Sequence, residues 1–257
     1  MQKLLLGSTI AFLASLALGM PQVQAGPLPP GAICVGNCGT DGANGVVTLS
    51  PLGTPAYLFI STNGGAAGAG RIPAAGGTNG SELTTPSFAA NVGDKLNFYF
   101  NYVTSDGSGF ADYSFAQLID SANAVAATLF TARTTPAGNT SPGFGLPAND
   151  STLTPATSAI IPGGPAWAEL GGSSGACFSA GCGYTGWILA SFAIPTAGTY
   201  TLKFGTSNFL DTSFDSGLAI DGVTIAGVPV IPTPEPASLS LMALGLVGLG
   251  LMRRRRS

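Results

Sequence analysis

Nine aspartates stand between Gly26 and Pro232, and their grouping is the first chemistry the sequence offers. Asp106-Gly107-Ser108-Gly109 is followed closely by Asp112, and Asp211, Asp215 and Asp221 come later, all at turns or strand ends rather than on strand faces. Carboxylate oxygens carried on turns suit a hard cation, so Asp106, Asp112, Asp215 and Asp221 are candidate ligands of a structural calcium ion. The Asp106 segment lacks the spaced third ligand and the closing glutamate of an EF-hand loop, and aspartates that only cap turns would present the same pattern. The sequence contains no histidine. That removes Ser-His-Asp and Cys-His catalysis together with histidine-bearing metal sites. Gly171-Gly172-Ser173-Ser174-Gly175 spells Gly-x-Ser-x-Gly but has no base to serve it, and reads as a glycine-serine turn. A hydrolase such as a glycosidase would need two carboxylates across a cleft, for which Glu82, Glu169 and the aspartates are available.

Four cysteines occur as Cys34-x3-Cys38 and Cys177-x4-Cys182. In an oxidising compartment they allow three disulfide connectivities, of which the local pairs Cys34 with Cys38 and Cys177 with Cys182 are favoured because each closes a glycine-containing loop. A zinc site built from all four is the alternative, and neither spacing is its usual close pair. Among aromatic residues, Trp167, Trp187, Tyr184, Phe144 and Phe178 fall in or beside long loops, where a ring could lie flat on a sugar. Trp167, between Ala166 and Ala168 and close to Pro165, and Tyr184 are the candidate glycan contacts, whereas Trp187 opens a strand and is expected to be buried.

The elements that must carry these residues read as strands. In Lys95 to Val103, KLNFYFNYV, Leu96, Phe98, Phe100 and Tyr102 share one face and Asn97, Tyr99 and Asn101 the other. Thr199 to Thr206 repeats the alternation with Tyr200, Leu202 and Phe204 inward. Further strands are expected at Val46 to Leu49, Tyr57 to Ile60, Tyr113 to Ile119, Ala124 to Thr131, Trp187 to Ile194 and Leu218 to Ile225, with Phe98, Phe100, Phe115 and Phe204 in the core. Asn44-Gly45, Asn63-Gly64 and Asn79-Gly80 read as turns. The spacing predicts an all-β fold, an antiparallel jelly-roll-like β-sandwich with long loops at 64–80 and 134–175, the second being the place to look for a partner. No Thr-x-Thr rows of the kind an ice-binding face would use are present.

Both termini read as address labels. Lys3, the apolar stretch Leu4 to Leu18 and Val23-Gln24-Ala25 have the layout of a signal peptide cut after Ala25 by signal peptidase. At the other end, Thr233-Pro234-Glu235-Pro236 precedes an apolar run from Ala237 to Met252 and then Arg253, Arg254, Arg255 and Arg256. A helix over that run would be roughly 24 Å long against a hydrocarbon core of ~30 Å, a marginal anchor in the inner membrane whose arginines stay on the cytoplasmic side. The expected organisation is therefore signal peptide 1–25, β-sandwich 26–228, proline-rich linker 229–236, hydrophobic helix 237–252 and basic tail 253–257. Between the labels, four basic side chains face eleven acidic ones, a net of −7. A body so poor in cations offers no patch for a phosphate backbone, which argues against nucleic acid.

Pro234-Glu235-Pro236, the short apolar run and the arginine cluster together resemble the PEP-CTERM sorting signal of Gram-negative bacteria, with Thr233 where that signal usually has valine. The same type of segment is also known, in some families, as the C-terminal domain of ice-binding proteins, which says nothing about ice. The resemblance implies processing near Pro-Glu-Pro by the membrane peptidase exosortase, transient membrane anchoring, and delivery to the cell surface or extracellular matrix of bacteria that make exopolysaccharide. Phe214 to Ile225, with Asp215 and Asp221, resembles the last strand of bacterial jelly-roll modules, some of them carbohydrate-binding. Together these imply a noncatalytic, exported surface or matrix protein, adhesive or carbohydrate-binding. The alternative is a secreted hydrolase such as a glycosidase.

Overall fold

The computed structural model describes residues 26–135 and 137–231. The proposed signal peptide, the hydrophobic segment 237–252 and the basic tail lie outside the described residues. Strands are numbered along the chain. One sheet contains β2 (Asn37–Asp41), β3 (Tyr57–Ser61), β7 (Lys95–Thr104), β10 (Thr152–Thr154), β13 (Ile188–Ala193) and β15 (Ser216–Ile225) in the order β10-β13-β7-β15-β3-β2, with the two-residue strands β11 (Ile161–Pro162), β12 (Gly183–Tyr184) and β16 (Val228–Pro229) added at its margins. The other contains β1 (Ile33–Val35), β5 (Asn79–Thr84), β8 (Tyr113–Asp120), β9 (Val125–Arg133) and β14 (Gly198–Ser207) in the order β1-β5-β14-β8-β9, with β4 (Ala66–Ala67) on β5 and β6 (Phe88–Ala90) on β14.

The order of the long strands defines the topology. Counting β3, β5, β7, β8, β9, β13, β14 and β15 as first to eighth, the first sheet runs sixth-third-eighth-first and the second runs second-seventh-fourth-fifth. That interleaving of two antiparallel sheets is a jelly roll, as the strand spacing predicts. Among the described residues no helix is long and apolar enough to cross a membrane.

Period-two alternation explains the core. Leu96, Phe98, Phe100 and Tyr102 of β7, Tyr200, Leu202 and Phe204 of β14, and Leu218 and Ile220 of β15 meet between the sheets and are buried. Phe100 and Phe130 stack with centroids 3.8 Å apart, and Phe98 sets its edge against Phe204 at 5.3 Å. Such pairs contribute about 0.5–1.5 kcal/mol beyond their burial. Phe115 is buried too, but it points away from this slab. Its neighbour Ala116 faces Phe204 across the β8–β14 pair and joins the main core, so Phe115 packs outside with Tyr113 and Ile72.

Several local expectations change. Asn79-Gly80 is not a turn: both residues lie in β5, where a Cβ on Gly80 would sit 2.1 Å from the Thr206 carbonyl oxygen. Glycine is there because two backbones approach closely. Residues 46–49 form no strand. Val47 pairs only with Asn44, and the segment lies over the outer face of the first sheet with Val47 fully buried. The sandwich also continues past residue 228. Val228 and Pro229 pair with Ile225 and Thr224, the Val230 N–H donates to the Val223 carbonyl, and Ile231 packs on the core. Proline is tolerated at this margin because an edge strand needs no donor on its outer side.

Candidate functional site

β7, β9 and β14 finish, and β8 and β15 begin, at the same end of the sandwich. Loops 105–112, 134–151 and 208–215 therefore emerge together. The 176–182 loop joins them: Ser108 N–H donates to the Ala180 carbonyl at 2.9 Å, and the Thr134 hydroxyl to that of Gly181 at 2.5 Å. The pairs Cys34–Cys38 and Cys177–Cys182 are both disulfide-bonded. The first joins β1 to β2, strands of opposite sheets. The second closes a short loop that carries Phe178, whose N–H donates to the Ser105 carbonyl at 2.9 Å.

A buried polar network supports the loops. Asp112 is fully buried; its Oδ1 accepts from the Phe209 N–H at 2.9 Å and its Oδ2 from the Ser216 hydroxyl at 2.7 Å. The Ser216 oxygen also lies 2.7 Å from the Thr104 hydroxyl, and the Tyr102 hydroxyl donates to the Asp112 carbonyl at 2.7 Å. Burial pushes the Asp112 carboxyl well above the usual range, opposed by the Ser216 hydrogen bond and reinforced by the nearby charge of Asp106. Asp106 is 1% exposed, accepts from the Gly107 N–H at 2.7 Å, and is raised to about 6 by burial and then by Asp211. Asp215 accepts from the hydroxyls of Thr62 at 3.0 Å and Ser173 at 3.1 Å.

The four aspartates do not converge. Asp106, Asp112 and Asp215 share the loop end, but Asp221 lies five residues beyond Ser216 along β15, roughly 17 Å away at ~3.4 Å per residue. There it accepts from Ser50 Oγ, Thr54 Oγ1 and the Gly222 N–H. Among the described residues no group of three or more Asp, Glu, Cys or His side chains is placed to hold a metal ion. Hydroxyl and backbone N–H donors hold Asp112, Asp215 and Asp221, while Asp106 Oδ2 is buried without a partner among the described residues; with Asp221 far along β15, the four-aspartate calcium site expected from the sequence is not formed.

The tryptophans are also exchanged. Trp167 is 0% exposed, its Nε1–H donates to the Tyr57 hydroxyl at 3.1 Å, and its ring meets Phe59 edge-on. It cannot stack on a sugar. Its loop is held down because Val46 N–H donates to the Ala166 carbonyl at 2.8 Å, and only glycine fits at position 45, where φ is +56° and a Cβ would meet that same carbonyl. Trp187, expected to be buried, is half-buried, edge-on to Tyr57 and bonded through Nε1–H to the Thr48 carbonyl. Tyr184 is half-buried beside the same cluster.

The rings that remain open are at the loop end. Phe144 is 71% exposed, Leu210 62% and Phe178 45%. Phe178 contacts Phe110 and Phe214 edge-on or tilted, tying three loops into one apolar surface. Beside it is a 390 Å³ cavity lined by Ser108, Gly109, Ala111, Arg133, Phe144 and Phe209, with Thr134 and Thr135. Phe110, Phe209, Leu210 and Phe214 carry no strand or motif pattern that marks them as surface residues in the sequence. The signal available was their recurrence beside glycine, aspartate and serine in short loops, without strand alternation.

Carboxylates do not frame this cavity. Two others of the sandwich carry one each, Asp221 and Asp94. Glu82 pairs with Lys203 at 3.1 Å. Glu169 is raised to about 7 by burial and by Asp41, whose own oxygens accept from the Gly42 N–H, Asn44 Nδ2 and the Tyr57 hydroxyl.

Residues 232–256 match the PEP-CTERM protein-sorting motif. The chain carries a PEP-CTERM sorting signal. Pro234, Glu235, Pro236 and Arg253 to Arg256 all fall within the match, which concerns protein sorting and not ice binding, and implies handling by exosortase-type machinery of an exported, cell-surface protein. The chain matches no curated protein. Among solved structures it is similar to the K3 cleaved adhesin domain of Lys-gingipain from Porphyromonas gingivalis, at 13% identity and TM-score 0.37 over 77% of this chain and 92% of that one. It is also similar to the K1 cleaved adhesin domain of the same protein, at 11% identity and TM-score 0.33 over 77% and 94%. At those scores the likeness carries no functional argument.

Proposed function

We propose that this PEP-CTERM-sorted protein is a noncatalytic, carbohydrate-binding component of the cell surface or extracellular matrix, and that the loop end of the jelly roll is its binding surface. The observation that carries the reading is a 390 Å³ cavity walled by the exposed Phe144 ring and by Phe209, with the exposed Phe178 ring and the aliphatic Leu210 on other loops of the same end. Exposed aromatic faces beside a pocket of that size suit a ring-shaped ligand that is partly apolar on its faces and hydroxylated at its edge. A glycosidase would need two carboxylates across the cleft, and this cavity has none in its lining. The signal peptide and a short anchored stage before exosortase cleavage belong to the same proposal.

The test uses the oxidised body, residues 26–231, which contains both sheets and the closed core. Its retention on the producing organism's extracellular polysaccharide is measured by affinity electrophoresis. Saturable retardation supports the reading, and release of reducing sugar at a rate proportional to protein would replace it with the hydrolase. Free migration at all polysaccharide concentrations removes the glycan altogether.

A further inference from the structure

The loop-end cavity contains one feature that hydroxylated sugar rings alone leave unexplained. Arg133, the last residue of β9, is 8% exposed and forms part of the cavity wall. Its guanidinium lies 4.2 Å from the centroid of the Phe209 ring and 5.1 Å from that of Tyr113. Its Nη1 donates to the Phe144 carbonyl at 3.3 Å, whereas Nε and Nη2 are buried with no hydrogen-bond partner among the described residues. A buried guanidinium missing two partners is costly, more so than a neutral group, because hydrogen bonds to charged groups are the stronger ones.

The identity of the two atoms is informative. Nε–H and Nη2–H lie side by side on one edge of the planar guanidinium and point the same way, which is the donor pair that fits the two oxygens of a carboxylate. Among the described residues no acid takes that place. Asp112 is committed to Ser216 and to the Phe209 N–H. The chain's one ion pair among the described residues is Lys203 with Glu82, elsewhere on the second sheet. Although the body is acidic overall, the lining of this cavity carries a cation, Arg133, and no acid. Burial raises the Tyr113 hydroxyl above its ordinary value, and the positive charges of both Arg133 and Arg71 act on it in the opposite sense.

Resting on the glycan reading above, we infer that the loop-end cavity recognises an acidic sugar, a pyranose bearing a carboxylate, with Arg133 Nε and Nη2 as the paired donors and Phe144 and Phe209 packing on the ring. Nε and Nη2 are screened from solvent in the free chain, so ligand entry displaces that screen. The inference requires the 143–146 segment to yield, since it holds Nη1 through the Phe144 carbonyl and carries the exposed Phe144 ring. A lysine at position 133 would keep the charge but lose the fork, and so the preference for a planar carboxylate.

The test compares ligands before it compares proteins, which avoids any question of misfolding. Binding of the oxidised body to polygalacturonate, to alginate, to methyl-esterified polygalacturonate and to a neutral glucan is measured at 0.15 M salt, where long-range repulsion from the acidic body is screened. The expected result is binding to at least one uronate polymer roughly 10-fold or more tighter than to the ester or the glucan, equivalent to about 1.4 kcal/mol. Arg133→Lys should erase most of that preference while thermal melting confirms the fold. If the variant does not fold, Phe144→Ala should weaken uronate binding instead. Equal binding of free and esterified polymer overturns the inference but leaves the glycan reading standing. Retardation by the native polysaccharide together with no binding to either uronate polymer does the same. Failure of every polymer, the native one included, removes both.

Discussion

Two regions of this jelly roll are built from similar parts and end in opposite states. Over the outer face of the first sheet, loops 42–50 and 163–175 bring a large aromatic ring, Trp167, onto Tyr57 and Phe59. The ring is 0% exposed and its one polar atom is bonded at 3.1 Å. At the loop end, residues 105–112, 134–151 and 208–215 bring phenylalanines around Arg133. Phe144 stays 71% exposed and two N–H groups stay unpartnered among the described residues. Residue type does not separate the two regions. Burial and hydrogen-bond satisfaction do: a ring with every contact filled is scaffold, and an open ring beside unfilled donors is surface.

The largest effect should fall on the closed region. Trp167→Ala empties a fully buried site, with an expected cost of about 3–5 kcal/mol, whereas Phe144→Ala at the open region should change stability by no more than about 0.5 kcal/mol. Denaturant melts of the two variants check the contrast, and equal losses would break it. Next is the network beneath the loops. Asp112→Ala leaves the Phe209 N–H and the Ser216 hydroxyl without their acceptor, at about 1–3 kcal/mol each. Asp112→Asn should cost less than the alanine variant, because burial already favours the uncharged carboxyl and the amide oxygen can accept one of the two bonds.

Replacing Cys177 and Cys182 together by serine should cost roughly 2 kcal/mol, since the loop they close is short. The loop carries Phe178, so binding should fall by more than the stability loss explains, as thermal melts and affinity electrophoresis on the same preparation would show. The smallest effect is on pH dependence. Asp106 and Glu169 are raised in the folded chain to about 6 and about 7, so the folded state holds protons that the unfolded chain has released. Their contribution is complete below the unfolded carboxylate range near pH 4 and is lost as pH rises through 6 and 7. Melting temperature should therefore decline from pH 5 to pH 8, with a shallower decline in Asp106→Asn and Glu169→Gln. A curve that climbs over that interval would contradict the assignment.

The contrast also explains what could be read from the sequence. Strands such as Lys95–Thr104 and Gly198–Ser207 announce themselves because every second residue is committed to the slab between the sheets. Local disulfides follow from cysteines too close in sequence to need long-range information. The burial of Trp167 is not legible locally, because it depends on a loop more than a hundred residues earlier in the chain, pinned through Gly45 and Val46, which no local pattern encodes. Asp221 shares only its residue type with Asp106 and Asp112, because strand geometry carries it to another part of the molecule. Arg133 gave no signal at all. It ends an ordinary strand, and its importance arises only when Phe209, Tyr113 and Phe144 arrive from three other segments.

The most direct measurement is hydrogen exchange on the body with and without the polysaccharide that retards it. New protection is expected in 105–112, 134–146, 176–182 and 208–215, with 42–50 and 163–175 unchanged. Protection confined to 42–50, 163–175 and the region around Tyr184 and Trp187 would place the ligand on the closed face and contradict the assignment of the open loop end as the binding surface.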